Sequence, residues 1–165
     1  MRLASPILLF LIGAVLVPST TLAEEAMLSL ETTQVRLFYS GSGTFSNDIL
    51  DPRLVLRNVI GGEGDAAEPA TSALVDVTVR SLSREAYADG SRKDSTGVVE
   101  INVVAGDAER VILHERRTIG MFNSAGLSHI GFWLSNIGCE KLTITVRIAK
   151  TMRTLSSAVP FRCAE

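Results

Sequence analysis

Two histidines, a short acidic stretch, two cysteines and one tryptophan are the side chains here that could carry chemistry or recognition. His114 and His129 raise a general-base or zinc reading, because imidazole titrates near neutrality and is a common metal ligand. His114 stands beside Glu115, Arg116 and Arg117, and strand alternation puts it on the face of Arg110, Ile112 and Arg116. That cationic neighbourhood disfavours a metal. His129 follows Ser128 in GLSHI, at the start of an apolar run. The nucleophile elbow G-x-S-x-G is not formed, since Gly126-Leu127-Ser128 continues into His129-Ile130. A hydrolase using His114 or His129 would have to gather its other groups from elsewhere in the fold.

Residues 61–69 (GGEGDAAEP) collect Glu63, Asp65 and Glu68 among glycines. Carboxylates of this kind supply oxygen ligands to Ca²⁺, which takes six to eight. The spacing matches no established calcium loop, however, and Gly-Glu-Gly-Asp is equally what a solvated turn needs. Residues 83–97 carry Asp89 and Asp94, with Arg92 and Lys93 between them to repel a metal. No metal and no cofactor are expected. Glu63 and Asp65 stay as candidates for a binding surface, and a calcium-stabilised adhesion or matrix module stays as an alternative.

Cys139 and Cys163 are far apart and form no C-x-x-C pair. In an oxidising compartment they read as one structural disulfide, closing a loop of about 24 residues and pinning the C-terminal tail. Phe132-Trp133-Leu134 is the main aromatic feature. In a strand, Phe132 and Trp133 face opposite ways. Ile130, Phe132 and Leu134 make the consistent apolar set. Trp133 is therefore either covered by the tail or stands on the outer sheet face, where an exposed tryptophan marks a binding surface. In the tail, Phe161 is expected to dock as an apolar plug beside Cys163.

The elements that must position these residues are read from period-two alternation. In 141–148 (KLTITVRI), Leu142, Ile144, Val146 and Ile148 point one way and the polar residues the other. Residues 72–82 and 98–105 behave alike, and Gly106-Asp107 turns the latter into 110–117 as a β-hairpin. Residues 26–31, 34–39, 53–60 and 129–135 are further strand candidates, with 44–49 a weaker one. Only 83–87 and 150–157 have helix-compatible composition, and neither is long enough to stand alone. The pattern predicts an all-β fold, an antiparallel β-sandwich of about seven or eight strands with one C-terminal disulfide.

The first 23 residues give the address. Arg2, the apolar run 7–17 (ILLFLIGAVLV) and Thr21-Leu22-Ala23 have the three-part layout of a secretory signal peptide. An apolar run of about 11 residues is too short to span a ~30 Å hydrocarbon core. No cysteine follows Ala23 and no twin-arginine pair precedes it, so a soluble domain starting near Glu24 is expected, with no stable membrane insertion after cleavage. Residues 24–165 are long enough for one domain with a real core. The chain is weakly acidic, with a formal charge of −2, and lacks the basic face that nucleic-acid binding needs. Hydrophobics at 46% and charged residues at 21% are globular values, which excludes wholesale disorder.

The segments FYSGSGTF (38–45), LRNVIGGEGD (56–65), NIGCEKLTITVRI (136–148) and PFRC (160–163) together resemble a group of small exported bacterial proteins. The resemblance implies export and a β-rich fold, and it implies no site. The expectation drawn from all of this is an exported, periplasmic or extracellular, non-enzymatic binding domain. Its partner would be a protein or another envelope component, engaged by loops 61–69 and 83–97 or by a sheet face near Trp133.

Overall fold

Strand-forming, β-branched residues in alternation build everything that is regular among the described residues. The computed structural model describes residues 27–82, 94–159 and 161, and among these there are eight strands and no helix. They are β1 (Leu28–Tyr39), β2 (Thr44–Phe45), β3 (Ser72–Ser81), β4 (Asp94–Ala105), β5 (Arg110–Met121), β6 (Leu127–Ser135), β7 (Leu142–Ile148) and β8 (Thr154–Val159). They form two four-stranded antiparallel sheets in the orders β2-β1-β3-β6 and β5-β4-β7-β8. The expected all-β class holds, and the arrangement fits a β-sandwich.

The alternation decides which residues lie between the sheets. Val75, Val77 and Val79 of β3 join Ile130, Phe132 and Leu134 of β6 from the first sheet. Val99, Ile101 and Val103 of β4 join Ile144, Val146 and Ile148 of β7 from the second. All belong to one apolar cluster and none is more than 6% exposed. Removing this much apolar surface from water is the main term holding the two sheets together.

One side of this arrangement is closed by bonds between edge strands β5 and β6. The Ser128 hydroxyl donates to the Ile119 carbonyl at 2.8 Å. Arg117 donates to the Gly131 carbonyl at 2.6 Å, and its guanidinium lies 5.1 Å from the centre of the Phe132 ring.

Several expected boundaries move. Residues 26–31 and 34–39 merge into one strand, β1, with a bulge between Leu30 and Thr32. The candidate 44–49 shrinks to β2. Residues 94–97, read as the end of a loop, open β4. The helix-compatible stretch 150–157 instead delivers β8, whose residues alternate between exposed and more buried positions along the edge of β7. A free edge supplies hydrogen-bond partners that a short isolated helix could not match. The signal peptide at 1–23 and the helix-compatible 83–87 lie outside the described residues.

The largest departure is 53–60, which is no strand. Its only ladder contact is the isolated bridge Leu56↔Gly64. Its backbone groups are satisfied locally. The Val55 N–H donates to Asp65 Oδ2 at 2.6 Å, the Asp65 N–H donates to the Val55 carbonyl at 3.1 Å, and the Asn58 carbonyl accepts from Gly61 and Glu63. Leu56, Val59, Ala66 and Ala70 are buried in the core cluster, so this segment packs as a cover.

Gly64 is one residue this cover cannot change. Its φ is +72°, and a Cβ there would sit 2.5 Å from the Val55 carbonyl oxygen. Gly64→Ala is expected to lower stability by about 1–3 kcal/mol in urea unfolding. Gly43 has the same φ with open space around it, so Gly43→Ala should show only the backbone term of about 1 kcal/mol. Equal losses at the two positions would mean that the approach of Gly64 to Val55 is not a tight packing contact.

Candidate functional site

Residues that alternate away from the core make the outer face of the β2-β1-β3-β6 sheet. Across this sheet one rung runs Phe45, Phe38, Ser72, Ser135. The next runs Arg36, Leu74, Trp133. Ser72 is small, so the rings on either side of β3 meet above it. Phe38 and Trp133 have centroids 5.3 Å apart in an edge-on arrangement. Phe45 lies 5.3 Å from Phe38 and 6.4 Å from Trp133, nearly perpendicular to the latter at 82°. Edge-to-face contact is the favoured geometry for aromatic pairs. The cluster is not buried: Phe45 is 44% exposed and Trp133 41%.

Trp133 therefore points away from Phe132, which is fully buried. Of the two placements open for Trp133, the outer face is the one found. Phe161 packs in the core cluster, as an apolar plug would, so the described end of the tail lies inside while Trp133 faces outward.

Beside Phe45 the surface falls into a depression of about 310 Å³, lined by Tyr39, Thr44, Asn47, Asp65 and Glu68 among others. Two candidates that are far apart in the chain, Trp133 and Asp65, are thus linked through Phe45. Asp65 is exposed but also structural, since its Oδ2 holds the Val55 N–H. Glu63 is exposed as well, and its Oε1 accepts from the Asn58 side chain at 3.5 Å. Among the described residues no three His, Cys, Asp or Glu side chains gather where they could hold a metal ion. Among the described residues, Asp51 is a carboxylate strongly affected by its surroundings. Its hydrogen bonds from the Arg53 guanidinium, then from the Arg53 backbone N–H, hold its pKa down to about 2.

His129 stands on the same outer face as Trp133, four residues earlier in β6. Its Nδ1 is 3.3 Å from Thr78 Oγ1 and 3.4 Å from Asp76 Oδ2. Both partners fall on one ring nitrogen. A nucleophile–base–carboxylate set needs the hydroxyl and the carboxylate on opposite nitrogens. Ser128, the serine beside it, is 5% exposed and spends its proton on the Ile119 carbonyl.

His114 is on the other sheet. It is exposed and opposite Asn102, one rung from an ionic group in which Glu100 lies between Arg116, at 2.8 Å, and Arg147. The two histidines thus occupy outer faces of different sheets and cannot act on one substrate atom.

Cys139 lies between β6 and β7, with Sγ 3.8 Å from Asn58 Oδ1. Cys163 lies outside the described residues, so the expected Cys139–Cys163 bond is not seen among them. The alternative binding loop 83–97 is likewise outside, apart from 94–97 in β4.

Phe38 and Phe45 are the site residues that the sequence reading did not single out. Alternation in β1, with Val35, Leu37 and Tyr39 inward, was the available signal for Phe38. Phe45 had none, because a strand of two residues shows no period. In comparisons with known proteins, the chain matches neither a family model nor a curated relative.

Proposed function

We propose that residues 24–165 form an exported, non-enzymatic binding domain, released by cleavage of the 1–23 signal peptide into the periplasm or beyond. Its partner is a protein or another envelope component, and it binds through the outer face of the β2-β1-β3-β6 sheet. One observation carries the reading: three aromatic rings, Phe38, Phe45 and Trp133, meet on a face that alternation normally leaves polar, and two of them stay more than 40% exposed. Large exposed apolar side chains that cluster, rather than scatter, mark interaction surfaces. Loops 61–69 enters the reading through Asp65, which borders the same surface.

The Cys139–Cys163 disulfide belongs to this proposal. It is supported by export, and by the lack of a free cysteine among the described residues.

A photo-crosslinking phenylalanine analogue placed at position 45 tests the face in the exporting cell. A discrete adduct is expected from position 45 and none from position 143, on the outer face of the other sheet. Equal adducts from both positions, or none from 45, would remove the face as the binding surface.

A further inference from the structure

We infer that the occupant of this face is a single chain of a hydroxyl-rich glycan, held across the Phe45–Trp133 corner and the adjoining depression. The inference rests on the binding-face reading above and adds the chemistry of the ligand.

Three features of the face select this class. The first is area. An aromatic side chain offers about 150–250 Å², so Phe45 and Trp133 at 44% and 41% exposure present roughly 200 Å² between them. A stable dimer or standard protein partner buries about 800 Å² per side. The rings by themselves supply about a quarter of that, which is the footprint of a ligand of sugar dimensions.

The second feature is shape. Phe45 and Trp133 stand at 82°, so they make a corner with two walls and not a plane. A sugar ring can lay one C–H face on one wall while its edge meets the other, its slightly positive hydrogens against the negative face of the ring. A flat crystalline polysaccharide would need coplanar rings.

The third feature is the polar lining. The depression beside Phe45 has a volume of about 310 Å³, at the small end for ligand sites, and offers the groups of Thr44, Asn47, Asp65 and Glu68. Hydroxyl, amide and carboxylate groups beside aromatic rings are complementary to a ligand that alternates C–H faces with hydroxyls. A carboxylate has about four acceptor positions, so Asp65 can take a sugar hydroxyl while it holds the Val55 N–H. Because that carboxylate is already partly satisfied, it attracts a bare cation less than an unbonded one would.

Trp133 is the one tryptophan in the chain, so fluorescence excited selectively at tryptophan, beyond the tyrosine band, reports on this face alone. The probes are cellohexaose, chitohexaose and a soluble peptidoglycan digest, with hexalysine as a cationic comparison. At least one saccharide is expected to shift the emission saturably, with little dependence on salt. Calorimetry should show its affinity falling about tenfold in Phe45→Ala and in Asn47→Ala, and staying unchanged in Thr143→Ala. Insoluble cellulose should retain none of the protein. A response to hexalysine alone, lost at high salt, would overturn the glycan in favour of a cationic partner. No saccharide response together with a position-45 adduct to an envelope protein would overturn the glycan and leave the face standing. No response and no adduct would overturn both.

Discussion

Phe132→Ala is expected to lower the unfolding free energy by about 3–5 kcal/mol, whereas Trp133→Ala, the adjacent change, should cost about 1 kcal/mol. Phe132 is fully buried, opposite Val75 and between Ile130 and Leu134 in the apolar cluster. Truncation removes the transfer term of a large ring and leaves a cavity between two sheets whose backbones cannot collapse to fill it. It also takes away the ring beneath the Arg117 guanidinium, at the seam between β5 and β6. Trp133 loses contacts with Phe38, Phe45 and the facing Leu74 on a face partly open to water. For a domain of this size the Phe132 change amounts to a fall in Tm of about 10 °C. Urea unfolding followed by circular dichroism measures both variants without relying on the tryptophan. Comparable losses at the two positions would mean that Trp133 contributes to the core and is not held outward for a ligand.

That these neighbours point opposite ways was legible in the sequence because a strand period of two is rigid; that the tail leaves Trp133 uncovered was not. Once Ile130, Phe132 and Leu134 are assigned inward, Trp133 has only one direction left. The same logic reads β3, β4 and β7, where Val75, Val77 and Val79, then Val99, Ile101 and Val103, then Ile144, Val146 and Ile148 recur at every second position. It fails at 53–60. There Leu54, Leu56 and Val59 also look like a strand, but Asp65 and the glycines at 61, 62 and 64 let the segment satisfy its own backbone. Period alone does not say whether a neighbouring strand is present to pair with. The helix-compatible 150–157 fails for the converse reason, since the free edge of β7 is a tertiary feature that no local window contains.

The site was half legible by the same rule. Trp133, Glu63 and Asp65 could be nominated one at a time, from exposure and charge. Their relation could not, because it is made by Phe45, three strands away from Trp133 and contributed by a strand of two residues. Phe38 reaches Trp133 only because Ser72 intervenes on β3. A larger residue at 72 would separate the rings, and a single sequence offers no way to see that Phe38 and Ser72 share a rung and that Trp133 stands on the next one.

Reduction of the proposed Cys139–Cys163 bond is expected to lower the unfolding free energy by about 3 kcal/mol, close to 10 °C in Tm, since the bond closes a loop of about 24 residues. The loss should begin in one place. β8 is an edge strand paired only with β7, and Phe161, just beyond it, is its last described anchor in the core. Cys139 lies against Asn58 in the covering segment, so the bond would tie the tail to both the entry of β7 and that cover. Without it, β8 is held among the described residues by its ladder with β7 and by the buried side chains of Val159 and Phe161 at its end. Amide exchange in β8 should therefore rise before exchange in β4 or β7, whose strands are paired on both sides. Cys139→Ser and Cys163→Ser should each reproduce the effect of reduction, and the double variant should add nothing, because all three remove one covalent link. Alkylation read by mass spectrometry provides the direct check: no label on the exported protein before reduction and two labels after it. Two labels without reductant would show that the thiols are free and that the β7 ladder with the buried Val159 and Phe161 retains the tail.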